Sequence, residues 1–163
     1  MTPKSPAVRD FRDAVLALAK DHGFARRMVN SGRLSLPAVL SDSPLNTSDT
    51  DEFSCKAMLG AAALDAPVQL SNGRHDWFLR TLGPDFTMLY AGDQTDIPWA
   101  HGVHHMCLGQ DVLDIQGMVK DRYDLQPDTA YLFRPDQHIA ARTRNPTEGW
   151  LKNALSRAQG QSG

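Results

Sequence analysis

One short stretch concentrates the side chains that could do chemistry: His101-Gly-Val-His104-His105-Met-Cys107. Imidazole and thiolate ligate zinc and the softer transition metals, so a small metal-binding enzyme is the activity this cluster could carry. Strand alternation opposes it. His105 and Cys107 project from one face and His104 from the other, so all four converge with His101 only across a turn. Cys55, His75 and His138 could complete a tetrahedral set only if folding brought them in. The structural alternative, histidines of a strand and a loop satisfied by their neighbours, needs no metal. Thiol redox chemistry fares no better. Cys55 and Cys107 are isolated, with no Cys-x-x-Cys pair and no helix N-terminus to stabilise a thiolate, and they read as small buried hydrophobes. A dinucleotide site would need a Gly-x-Gly-x-x-Gly turn between strand and helix. The chain has none, and the lone Gly92-Asp93 reads as a turn. No catalytic or cofactor-binding residue is therefore expected.

The surrounding composition limits the partners. At 163 residues with 41% hydrophobic and 22% charged residues, the chain can bury one ordinary globular core. A net charge of −2 and a pI near 6.3 leave no electrostatic footprint for nucleic acid or an acidic membrane. No apolar run approaches a membrane span, and the N-terminus has no signal-like apolar core. Unpaired cysteines fit a reducing compartment, so the cytoplasm is the expected location.

The elements that must position these residues follow from periodicity. Ser5-Pro6 starts a helix whose Val8, Phe11, Val15 and Leu18 form an apolar stripe as far as His22-Gly23. A shorter helix runs from Phe24 to about Asn30, and Gly32 ends it. The polar, proline-containing stretch from Arg33 to Asp51 has the composition of a connector, which places a boundary near Asp51. Beyond it, Pro67 to Leu70 is a short edge strand and Asn72-Gly73 a turn. His75 to Leu82 reads as a helix with Trp77, Phe78 and Leu82 inward. Phe86 to Tyr90 is a buried strand, residues 91–103 a loop, and His104 to Leu108 a second strand. Asp114 caps a helix carrying Ile115, Met118, Val119 and Tyr123, with Gly117 a destabilising interior residue. Asn145 caps a last helix with Leu151, Ala154, Leu155 and Ala158 inward.

Before that last helix comes a hairpin. Tyr131, Leu132 and Phe133 lead into the turn Arg134-Pro135-Asp136-Gln137, and Ile139 and Ala141 resume the apolar pattern. Pairing Arg134 with Gln137 sets Phe133 opposite His138 and Leu132 opposite Ile139, so that Leu132 and Ile139 meet on one face, the expected core face. Gln137 implies a turn without positive φ.

The run Leu132-Phe-Arg134-Pro135-Asp136-Gln137-His138-Ile-Ala-Ala141-Arg142 resembles the end of the FAD-dependent aromatic-ring hydroxylases of the phenol and hydroxyphenylpropionate hydroxylase type. There a Leu-Val-Arg-Pro-Asp-Gly-His-Val-Ala-Trp-Arg-like stretch recurs, with glycine at the position of Gln137 and tryptophan at that of Ala141. Gly32-Arg-Leu-Ser-Leu-Pro37 and Ser43-Pro-Leu45 resemble the linker before that family's C-terminal domain. The resemblance implies an α/β, thioredoxin-like domain over residues 52–163, preceded by a helical arm and linker over residues 1–51. The residue order, helix, strand, loop, strand, helix, hairpin, helix, agrees with such a core in which one helix is shortened to a loop. The resemblance further implies an oxidoreductase-associated domain with a packing, lid or dimerisation role. FAD and NAD(P)H would serve the full-length monooxygenase, and its flavin and substrate domains, or a homo-oligomer, would be the partners. Arg134, Pro135, Asp136, His138 and Arg142 would form the contact surface. A stand-alone small-molecule-binding protein is the remaining alternative.

Overall fold

A computed structural model describes residues 5–30, 37–96 and 98–161. The chain divides into two compact units, Met1–Leu36 and Pro37–Gly163.

The first unit is a helix pair, α1 (Pro6–Asp21) and α2 (Gly23–Asn30). Ser5 accepts the Val8 N–H at 3.4 Å, and Pro6 occupies the first turn, where no N–H is needed. His22 breaks the helix with an extended backbone while its N–H still reaches Leu18. Arg26 then caps the open end of α1 through the Ala19 and Lys20 carbonyls. No α1 residue is buried: Val8, Phe11 and Leu18 are exposed and Val15 is half-buried. Gly32, expected to end the second helix, lies outside the described residues.

The second unit is mixed α/β. Its main sheet has the order β4-β3-β6-β7, with β3 (Phe86–Ala91) parallel to β4 (Val103–Cys107) and antiparallel to β6 (Thr129–Phe133), which pairs antiparallel with β7 (Ile139–Thr143). The near-continuous apolar run of β3 follows from burial on both faces. On one face Leu89, Met106, Tyr131, Phe133 and Ile139 pack against Val119 and Tyr123 of α4 (Met118–Tyr123). A small sheet shares this core. It has the order β2-β1-β5, formed by β1 (Pro67–Leu70), β2 (His75–Trp77) and β5 (Val112–Leu113). On the other face Met88, Tyr90, Cys107 and Leu132 meet Leu151, Ala154 and Leu155 of α5 (Glu148–Ala158).

Several elements differ from their expected form. Pro67 to Leu70 is the centre of its sheet, not an edge, and tolerates Pro67 at its first position. The Asn72-Gly73 turn closes a hairpin, Asn72 accepting the Arg74 N–H and Gly73 sitting at φ +82°. Residues 75–77 consequently pair as β2, leaving a single turn, α3 (Phe78–Thr81), of the expected helix. Phe78 and Leu82 are buried, but Trp77 points to solvent. Gly117 is the N-cap of α4 at φ +70°, where glycine is favoured, and Ile115 precedes the helix and is exposed. Thr147, not Asn145, caps α5 by accepting the Trp150 N–H.

The hairpin forms with a changed register. Phe133 pairs with Ile139 and Leu132 with Ala141, which leaves Ala140 as the extra residue of a β-bulge. Because Ile139 pairs with Phe133, Leu132 and Ile139 face opposite sides, both fully buried, and the bulge brings Ala141 to the Leu132 side. Gln137 adopts φ +64°, contrary to the expected turn, and its carboxamide donates to the Leu79 carbonyl. Leu132→Ala and Ile139→Ala should each lower stability by about 2 to 4 kcal/mol in urea unfolding. Because the two sites lie in different cores, the losses in the double variant should add; strong non-additivity would contradict this register.

The outer edge of β7 is covered by residues 37–63, here called the strap. Thr47 N–H reaches the Ala140 carbonyl, Gly60 N–H the Ile139 carbonyl, and Ala63 N–H the Gln137 carbonyl, each at 2.8 Å. The boundary expected near Asp51 therefore falls inside the second unit.

Candidate functional site

The strap is fastened by side chains that the sequence reading left unpaired. Arg142 and Arg144 lie two apart on and just after β7 and so leave the strand on one face. Asp49 and Asp51 have the same spacing on the strap. Arg142 is 8% exposed. It donates to both Asp49 carboxylate oxygens, 2.6 Å at the closest, and to the Ala57 carbonyl at 2.7 Å. Burial works against its charge, but the Asp49 carboxylate outweighs that and raises its pKa. Asp51 accepts the Arg144 N–H and the Thr143 hydroxyl, and the Arg144 contact leads in holding its carboxyl below the usual range. Arg144 also pairs with Asp124 at 2.5 Å. The Ser54 N–H, donated to that carboxylate, is the main cause of its lowered pKa. Phe53 completes the clamp, its ring 4.2 Å from the Arg142 guanidinium carbon and 4.1 Å from that of Arg144. This is a fastening in which each guanidinium faces a carboxylate, Arg142 on Asp49 and Arg144 on Asp124, while Asp51 is satisfied by neutral N–H and O–H donors.

The histidine cluster does not converge. His104 is exposed on β4, His101 lies exposed before it, and Cys107 is buried on the opposite face from His104. Among the described residues no three His, Cys, Asp or Glu side chains are grouped to hold a metal ion. His105 instead accepts the Ala100 N–H at 3.2 Å. His75 is exposed on β2 and His138 sits in the hairpin turn, its N–H bonded to Asp136.

Neither thiol has a partner cysteine. Cys107 donates to the Gly92 carbonyl at 3.1 Å, and burial, then the Asp111 charge, pushes its pKa up, away from the thiolate. Cys55 is half-buried, 3.5 Å from the Tyr131 hydroxyl and 3.7 Å from Arg142 Nη1. Tyr131 in turn donates to the Tyr123 carbonyl, and Tyr123 to that of Leu64, so two buried phenols tie α4 to the sheet and to the residue just past the strap. Burial raises both phenol pKa values well above their usual range.

Of the five residues expected on the hairpin surface, Pro135 and Asp136 are exposed, Arg134 and His138 are half-buried, and Arg142 is turned into the clamp. Arg134 pairs with Asp136 at 2.5 Å. Beyond the carboxyl ends of the parallel strands lies a shallow hollow of about 290 Å³, lined by Ala91, Gly92, Leu108, Lys120, Leu125, Gln126 and Pro127. Near it Tyr90 donates to Asp128 at 2.8 Å, and desolvation followed by that carboxylate pushes the phenol up to about 12. Among the described residues the hollow is lined by no nucleophile paired with a base.

No family model and no curated protein matches this chain. Solved structures do. It is similar to aklavinone-11 hydroxylase in a ternary complex with FAD and aklavinone, at 20% identity and a TM-score of 0.59, over 71% of this chain and 25% of that one. It is also similar to the flavin-dependent monooxygenase PieE in complex with FAD and substrate, at 21% identity and a TM-score of 0.55, over 78% of this chain and 24% of that one. The chain shares its fold with a part of both enzymes. It spans about a quarter of their length.

Phe53, Asp49, Asp51 and Arg144 were not singled out from sequence. The matching two-residue spacings, Asp49-x-Asp51 and Arg142-x-Arg144, are the signal that was there to find.

Proposed function

We propose that this chain is a thioredoxin-like domain of the kind that ends a FAD-dependent aromatic-ring monooxygenase, and that it acts by packing, not by chemistry. The carrying observation is the fold of the second unit, with its main sheet in the order β4-β3-β6-β7, together with the similarity of this chain to part of two flavin-dependent enzymes. Three local features support a non-catalytic role. The stretch after β3, where a thioredoxin carries its cysteine pair, is Gly92-Asp93-Gln94-Thr95-Asp96 and has no thiol. Cys107 is protonated and tied to Gly92. The Arg142 and Arg144 charges are consumed internally.

In this reading the full-length protein supplies the flavin and substrate domains, uses FAD and NAD(P)H, and works in the cytoplasm. This domain covers those domains or joins a second copy, and the exposed Pro135 and Asp136 belong to its contact surface. The uncovered stripe Val8, Phe11 and Leu18 is apolar area that such an assembly would bury.

The test is to incubate the chain with FAD, NADPH and several phenols while following flavin absorbance and NADPH oxidation. The chain should stay colourless and consume no NADPH, because its sequence carries no phosphate-binding Gly-x-Gly-x-x-Gly turn. A tight yellow complex, or phenol-dependent NADPH consumption, would overturn the reading.

A further inference from the structure

The far end of the loop that follows β3 is held to the edge strand β4 by the His105 imidazole. Ala100 N–H donates to His105 Nε2 at 3.2 Å. Trp99 stacks on the same ring, with centroids 6.3 Å apart and planes 11° apart, and His101 meets the indole nearly edge-on at 6.4 Å. Ala100 is 2% exposed and Trp99 57%, so the contact keeps a buried residue in place and holds a largely solvated indole against the strand.

Nε2 accepts this bond only in the neutral ring that carries its proton on Nδ1. Protonation makes Nε2 a donor. Two N–H groups would then face each other, and the hydrogen bond would be replaced by repulsion. We propose that His105 is a proton-operated latch: neutral, it holds the Trp99-Ala100 end of the loop on β4; protonated, it releases that end and uncovers Ala100.

The groups around the ring favour the neutral state. His104 is adjacent on β4, and His101 approaches from the loop through Trp99. β3 opposes His105 with Met88, which does not titrate. Cys107, next on the same face, keeps its proton on the Gly92 carbonyl. α5 packs on this face through apolar residues, and its Glu148 and Lys152 pair with each other in solvent. No carboxylate pairs with His105 among the described residues. Burial first, and His104 second, lower the ring's pKa below its usual 6.5, against the Val103 backbone, which favours the proton. The folded value lies below the unfolded one, so the latch's contribution is complete above about pH 6.5 and is lost as pH falls through the folded value.

Nitrogen-15 NMR of the whole chain tests this. At neutral pH His105 should show the Nδ1–H tautomer, and it should titrate below the ordinary histidine value. The Ala100 amide shift should follow the same midpoint, and its hydrogen exchange should run about tenfold faster than the usual pH trend once the ring is protonated, the loss of one modest hydrogen bond. In His105→Gln the carboxamide oxygen can accept the same N–H without titrating, so the step should vanish. An Nε2–H tautomer at neutral pH, an Ala100 amide indifferent to the His105 titration, or a step that survives in His105→Gln would each overturn the latch.

Discussion

Replacing Gly60 with alanine should destabilise the second unit by about 4 kcal/mol or more, enough to leave much of the chain unfolded at room temperature. Two costs combine at this position. Gly60 has φ +72°, which an L side chain adopts at a cost of about 1 to 2 kcal/mol. A Cβ there would also stand 2.2 Å from the Leu40 carbonyl oxygen and 2.3 Å from its carbon. Those are backbone atoms and cannot rotate away. Leu40 N–H is bonded to the Gly60 carbonyl and Gly60 N–H to the Ile139 carbonyl, so relief would unzip the strap from β7. Gly73 is the control: φ is +82°, but a Cβ there meets nothing within 4 Å. Gly73→Ala should therefore lose only the backbone term. Urea unfolding of both variants checks the contrast, and equal small losses would show that Leu40 does not lie against Gly60.

The second large effect belongs to the clamp. Asp49→Asn should cost about 2 to 3 kcal/mol, because it leaves the Arg142 guanidinium buried without its counter-charge. The value sits at or below the lower end of the range for broken buried pairs, about 3 to 5 kcal/mol, since Asp49 keeps 26% of its side chain in solvent. Asp136→Asn in the hairpin turn breaks an ion pair of similar length, 2.5 Å, whose carboxylate is 47% exposed, and should cost less than about 1 kcal/mol. Combining Asp49→Leu with Arg142→Met should recover part of the loss, since no unpaired charge then remains. A double-mutant cycle by chemical denaturation measures this. Equal effects at Asp49 and Asp136 would mean that the strap pair is solvated.

What could be read from the sequence divides along a physical line. Phe86 to Tyr90, Val119 and Tyr123, and Leu151 to Ala158 were placed correctly because local apolar periodicity and burial agree there. His75 to Leu82 failed because a helix pattern competed with pairing to β1, a partner that periodicity within one segment does not contain. The hairpin turn was located, yet its register was missed. A single bulged residue, Ala140, reverses every face beyond it, and Gln137 gives no outward sign of adopting a left-handed backbone. The clamp escaped for the opposite reason. Polar residues at 37–51 resemble a connector until the arginines that satisfy them are known, and those lie 93 residues away in the case of Asp49 and Arg142.

That separation governs the order in which the protein can be completed. The strap emerges from the ribosome long before β7, and its apolar residues, Phe53, Ala57, Leu59 and Ala63 among them, have no core to join until the sheet has formed. β7 is later flanked by an open edge until the strap returns to it. A newly made chain thus passes through an interval in which the hairpin is paired on one side only and can recruit a strand from another molecule. Beginning expression at residue 52 would prolong part of that interval: without Thr47 and Asp49 the Ala140 carbonyl would lose its N–H partner and Arg142 its counter-charge, while Gly60 and Ala63 would still cover the turn end of the hairpin. The polar stretch 37–51 thus closes the Ala140 end of the β7 edge and answers the charge of Arg142.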